Sequence, residues 1–152
     1  MVVECPQPPV EIYVDGRHLW RIIDNLMGNI CKYAQPGTRV YVTLETFHGM
    51  VIMTFRNISK DRLKMTSEEL FGRFVRGDSS RNTEGHGLGL SIAKSLTELM
   101  HGNLAVQMDG DLFKVILSFE EYQEDNSSVV FLYAICYNVG RLNTEYKRRT
   151  NL

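Results

Sequence analysis

Cysteine, proline and unbalanced charge are all scarce in this chain, and each shortage removes a class of protein. Three cysteines among 152 residues, Cys5, Cys31 and Cys136, are odd in number and far apart. That excludes a disulfide framework and predicts reduced thiols in a cytoplasmic setting. There is no paired-cysteine spacing, and His18, His48, His86 and His101 show no metal-ligand spacing, so a zinc module is excluded. Basic residues number 17 against 18 acidic ones, a net charge of -1. Such a balance provides no surface for coating nucleic acid or an anionic membrane, so neither is expected as a partner of this chain. No apolar run approaches the roughly 20 residues that cross a bilayer. The opening MVVECPQPPV has no basic flank and no long apolar stretch, so no signal peptide is expected there. Repeats and low-complexity tracts are absent too. What is present is 43% hydrophobic residues, enough for one core at about 150 residues per domain, with room for a short appendage.

Residues 1–9, punctuated by Pro6, Pro8 and Pro9, read as an extended lead-in. Val10 to Val14 is short and β-prone and breaks at Asp15-Gly16. Leu19, Ile22, Ile23, Leu26, Met27, Ile30, Cys31 and Ala34 then recur at helical spacing until Gln35-Pro36-Gly37, which predicts an amphipathic helix. Val40, Val42 and Leu44 alternate with polar residues, as do Val51, Met53 and Phe55 beyond a Phe47-His48-Gly49 turn; this is a hairpin. Thr66-Ser67-Glu68-Glu69 is a capping box for a short helix carrying Leu70, Phe71 and Phe74. Residues 77–87 form a polar, glycine-rich loop, long enough to be functional. A further helix has Leu88, Ile92, Leu96 and Leu99 on one stripe and Gly102 as its C-terminal stop. Asn103 to Met108 and Leu112 to Phe119 make a second hairpin across Asp109-Gly110. The predicted fold is α+β, a two-layer sandwich whose mostly antiparallel, mixed sheet is covered on one face by three helices. This domain spans residues 10–121, and residues 122–152 are a tail of unassigned role, with an apolar run from Val129 to Tyr137 and a basic end at Lys147-Arg148-Arg149.

Asn25, Asn29, Lys32 and Tyr33 line a flank of the first helix beside its apolar stripe. Asparagine is a poor helix former, and two of them one turn apart cost stability. Read alone, they are either solvated polar residues or a site: an amide oxygen for a hard cation, an ammonium for phosphate, a ring for a base. The second signal is Gly85-His86-Gly87-Leu88-Gly89-Leu90, where the long loop meets the later helix. Glycines allow close backbone approach to an anion, and free N–H groups at a helix start point at it. No strand directly precedes this run and no Gly-Lys-Ser/Thr occurs, so Rossmann and P-loop folds are disfavoured.

Taken in order, these segments resemble a known family. Asn25-Leu26-Met27-Gly28-Asn29-Ile30-Cys31-Lys32-Tyr33 resembles the asparagine box of two-component sensor histidine kinases. Leu70-Phe71-Gly72-Arg73-Phe74 is similar to their phenylalanine box, and Gly85 to Ile92 to their second glycine box. The closing hairpin, with Asp109-Gly110 and Phe113, also fits, so the likeness runs from about Val10 to Phe119. It implies the ATP-binding catalytic domain shared more distantly with gyrase, mismatch-repair and chaperone ATPases. By the same resemblance Asn29 supplies an oxygen to Mg²⁺, Asn25 assists it, Lys32 reaches the phosphates and Tyr33 lies against the adenine. Gly85, Gly87, Leu88 and Gly89 belong to the ATP lid, Arg81 adds a phosphate contact, and Phe71 and Phe74 anchor the lid's root.

One segment departs from the family. After the second strand of the first hairpin the family has an aspartate, then glycines; here the run is Phe55-Arg56-Asn57-Ile58-Ser59-Lys60-Asp61. Asn57 shares strand parity with Val51, Met53 and Phe55, so it is expected to face the helical layer. Its amide oxygen can accept from an adenine amino group, without the charge that strengthens a carboxylate's bond. Asp61 could take its place only if the loop folded back. ATP binding weaker than the family's is the expectation. No phosphoacceptor is present either: none of the four histidines has the His-Glu or His-Asp setting of the acceptor helix, so no catalytic residue is assigned in this chain. The acceptor is expected on a separate helical dimerisation domain, with a response regulator downstream and a membrane-anchored parent protein. A nucleotide-independent interaction domain and an anti-sigma-type protein serine kinase remain as alternatives.

Overall fold

The computed structural model describes residues 1–6, 10–61, 88–122 and 130–131. Five strands form one sheet in the order β1-β3-β4-β6-β5. These are β1 (Val2–Glu4), β3 (Tyr41–Phe47), β4 (Met50–Ile58), β5 (Asn103–Asp109) and β6 (Leu112–Glu120). The pairing of β1 with β3 is parallel and the other three are antiparallel, which makes the sheet mixed. Helices α1 (Gly16–Tyr33) and α2 (Leu88–Leu99) pack against each other. A short antiparallel pair joins β2 (Glu11–Ile12) to β7 (Val130–Phe131). The expected short helix after Thr66 lies outside the described residues.

Register explains the core. Val42, Phe55, Val115 and Val106 form one rung across four strands, and Leu44, Met53, Leu117 and Leu104 form the next. All eight are buried, in one cluster with Leu19, Ile22, Ile23, Leu26, Met27 and Ile30 of α1. Side chains alternate along a strand, so this one parity faces the helices. Each fully buried Leu, Ile or Phe contributes roughly 1.5–3 kcal/mol relative to exposure.

Several local expectations shift by a residue or a face. The first hairpin turns at His48 and Gly49, both at positive φ (51° and 72°), the pairing of signs that a two-residue turn prefers. The second turns on Gly110-Asp111, because Asp109 pairs with Leu112. On α2 the buried residues are Leu90, Ala93 and Thr97, whereas Leu99 is 63% exposed. Of the expected stripe, Leu96 packs partly buried against the core and Leu99 does not; the most buried face runs through Leu90 and the small residues Ala93 and Thr97. The stop expected at Gly102 falls instead on His101, which takes the left-handed conformation (φ 59°). The His101 N–H bonds Glu98 O while the Gly102 N–H bonds Thr97 O at 2.9 Å, a Schellman stop one residue earlier. Glycine at 102 answers to space: a Cβ there would collide with the Phe119 ring and stand 2.9 Å from the Ser118 carbonyl oxygen.

Cysteine chemistry also differs from expectation. Cys31 is half-buried and in no disulfide, but Cys5 is in a disulfide, so the reading of all thiols as reduced does not hold. Among the described residues no helix is long and apolar enough to cross a membrane.

Candidate functional site

α1 presents its polar flank because its ends are tightly held. Asp15 caps the first turn, its carboxylate accepting from the backbone N–H of Arg17 at 2.8 Å and of His18 at 3.3 Å. Those bonds, the Arg17 N–H above all and then the Arg17 side chain, hold its carboxyl below the ordinary value of 3.8. At the other end α1 is stitched to the exit of β4. Gln35 N–H donates to Ile58 O at 2.7 Å, Lys60 N–H donates to Tyr33 O at 2.9 Å, and Ala34 bridges Ser59. Backbone carbonyls and amides at a helix end need partners, and here the strand supplies them.

This stitching resolves the departure in the sequence. β4 does not stop near Phe55; it continues through Ile58, pairing Asn57 with Phe113. Extended chain runs straight into the bridge at Ser59, so this segment is built without glycines. Asn57 is 4% exposed and lies on the helix-facing parity, whereas Asp61 is exposed. The Asn57 amide donates from Nδ2 to Ile58 O at 3.2 Å. Its oxygen accepts no hydrogen bond from a described residue.

The two asparagines of α1 converge on the start of α2. A Cβ added to Gly89 would stand 3.3 Å from Asn25 Oδ1 and 3.4 Å from Asn29 Oδ1. Both amide oxygens are therefore turned toward the same short stretch of backbone, and glycine leaves the space between them open. Asn25 Nδ2 donates to Arg21 O at 2.8 Å, which commits the nitrogen and leaves the oxygen directed at Gly89. Oxygen donors in this arrangement suit a small hard cation. Lys32 and Tyr33 are exposed on the last turn, with Lys32 Nζ 5.4 Å from the Tyr33 ring centroid.

The structure thus brings Asn25, Asn29 and Gly89 together, and sets Lys32 and Tyr33 on the helix end tied to the Asn57 strand. Arg81, Gly85, Gly87, Phe71 and Phe74 lie outside the described residues, and Leu88 is described only as the first residue of α2. The sequence reading missed the backbone bonds from Gln35 and Lys60 that join α1 to β4. No side-chain pattern encodes them; the only cue is that Gln35 and Lys60 flank the two element ends.

Comparison with known proteins follows the same outline. The family model described as histidine kinase-, DNA gyrase B-, and HSP90-like ATPase matches residues 14–131. The sensor histidine kinase HprS of Escherichia coli is 39% identical over 106 residues, covering 68% of this chain and 22% of that protein. The sensor histidine kinase RppB of Synechocystis is 36% identical over 114 residues, 70% of this chain and 25% of its own length. The chain thus spans about a quarter of the length of these relatives. Among solved structures, the mycobacterial sensor histidine kinase MprB superposes with a TM-score of 0.64 at 22% identity, covering 81% of this chain and 84% of that one.

Proposed function

The chain belongs to the family of histidine kinase-, DNA gyrase B-, and HSP90-like ATPases, and from that premise we propose that it is the ATP-binding catalytic domain of a two-component sensor histidine kinase. In this reading residues 10–121 form the domain and residues 122–152 a tail. The observation that carries it is the pair of amide oxygens from Asn25 and Asn29 turned to Gly89, 3.3 and 3.4 Å from where a Cβ on that residue would stand. That donor set fits Mg²⁺, which would supply positive charge to neutralise a triphosphate. Asn29, assisted by Asn25, would hold the ion, and Lys32 would add a cation for the phosphates. Tyr33 offers a ring face to the base, and Asn57 Oδ1 an acceptor for its amino group. Arg81, Gly85, Gly87 and Leu88 cover the triphosphate, with Phe71 and Phe74 at the root of that cover.

Phosphoryl transfer depends chiefly on positioning and on neutralising the triphosphate. This chain supplies both and leaves the accepting histidine to a helical dimerisation domain, with a response regulator as the next acceptor. The parent kinase is cytoplasmic at this domain and membrane-anchored elsewhere.

The test is calorimetric titration of Mg²⁺-ATP into the chain. The parent binds, and Asn29→Ala loses at least about tenfold in affinity, the range for removing one well-placed polar contact to a charged ligand. A parent chain that binds no Mg²⁺-ATP overturns the reading in favour of an interaction domain.

A further inference from the structure

The sheet face turned away from the helices carries its own polar site. A cavity of about 370 Å³ lies there, lined by Glu4, Thr43, Glu45, Thr54, Arg56 and Lys114 among others. Arg56 and Lys114 are direct cross-strand partners, and like charges placed opposite each other destabilise a sheet unless something lies between them. Neither is in an ion pair with any described residue. Arg56 Nε is buried with no hydrogen-bond partner, a costly state for a charged group. Its guanidinium does stand 5.6 Å from the Tyr41 ring centroid, which fixes its direction without satisfying its N–H. Thr54, 5% exposed, pairs with Thr43 in the adjoining rung, so two hydroxyls border the same space.

The acidic residues occupy the other side. Glu4 is on β1 and Glu45 on β3, while both cations come from β4 and β6. Charge is therefore segregated across the cavity and not cancelled within it. A bulky polyanion would meet the glutamates, whereas a compact anion at the β4–β6 end would not. Donors from a planar guanidinium, an ammonium and two hydroxyls outnumber what a planar carboxylate can accept and suit a tetrahedral oxyanion.

We propose that this cavity binds a single phosphate group, free or as a compact phosphomonoester, between Arg56 and Lys114. The site lies on the opposite face of the sheet from Asn25, Asn29 and Lys32, and it stands or falls independently of nucleotide binding.

Inorganic phosphate is the probe, titrated into the full chain at constant ionic strength with chloride as the control. Amide chemical shifts and the thermal midpoint are the readouts. Phosphate shifts the resonances of Thr54, Arg56 and Lys114 and raises the midpoint. Lys114→Gln and Arg56→Gln each weaken the response by about tenfold or more, as expected for losing a charge-assisted contact, while Lys32→Gln leaves it intact. Lys114→Gln also raises the phosphate-free midpoint, because it removes the like-charge pair, so a lost response in that variant cannot be confused with unfolding. A parent chain indifferent to millimolar phosphate overturns the proposal. So does a response that survives Lys114→Gln or vanishes with Lys32→Gln.

Discussion

Asn57, buried on the helix-facing side of β4, carries one amide whose two ends differ in their partners. The nitrogen is spent on Ile58 O, which sets the amide's orientation because only that end can donate. The oxygen is left as an acceptor at the position where related domains place a charged one. The substitution Asn57→Asp exchanges a neutral hydrogen bond to the base for a charge-assisted one, and calorimetry should show Mg²⁺-ATP binding tightened roughly fivefold. The same substitution loses the bond to Ile58 O and buries a charge at a site only 4% exposed, so the nucleotide-free thermal midpoint falls. A folded variant with unchanged affinity would show that the base is not read here. Asn25 and Asn29 teach a complementary lesson. Their cost to helix stability is visible in the sequence, but the glycine that makes them useful lies far along the chain, at position 89.

Helix α1 is the element on which most of the site depends, and its spacing announces it. Every one of its six most buried side chains falls on the predicted apolar stripe. Its N-cap yields a pH prediction. The Asp15 carboxyl is held below 3.8 in the folded chain, so its contribution is fully present above that value and is lost as pH falls through the lower folded value. Asp15→Ala should lower the thermal midpoint at neutral pH, and the gap from the parent should narrow in strong acid toward that of Asp15→Asn, which can still cap and should lie between them at neutral pH. A gap that does not narrow as the pH falls would mean that the charge of the carboxylate is not the source. Helix α2 is legible as a helix but not in its rotation. Its Leu positions alone suggest one stripe, and close packing against α1 through small residues selects another. Its stop moves by one residue for a similar reason: glycine at 102 serves the Phe119 ring, and the left-handed turn falls to His101.

At the scale of the whole molecule, one sheet presents two faces with separate chemistry, hydrophobic rungs and the Asn57 end toward the helices, paired cations and hydroxyls on the other side. The described histidines fit neither. His48 and His101 occupy left-handed turn positions and His18 lies beside the Asp15 cap. Incubating the chain alone with Mg²⁺ and γ-labelled ATP should accordingly leave no label on the protein; label appearing on it would overturn the separation of donor and acceptor domains. The sequence by itself determined the α+β class, the two hairpins and the course of α1, and supplied the residue types of the proposed site, because periodicity, turn residues and capping are local signals carried by neighbours in the chain. Only the tertiary structure decided the extension of β4 to Ile58 and the bridge at Ser59, the parallel edge strand β1, the rotation of α2, the state of Cys5 and the meeting of Asn25 and Asn29 at Gly89. Those depend on contacts between distant segments, where packing space and unsatisfied backbone groups, not local preference, select the arrangement.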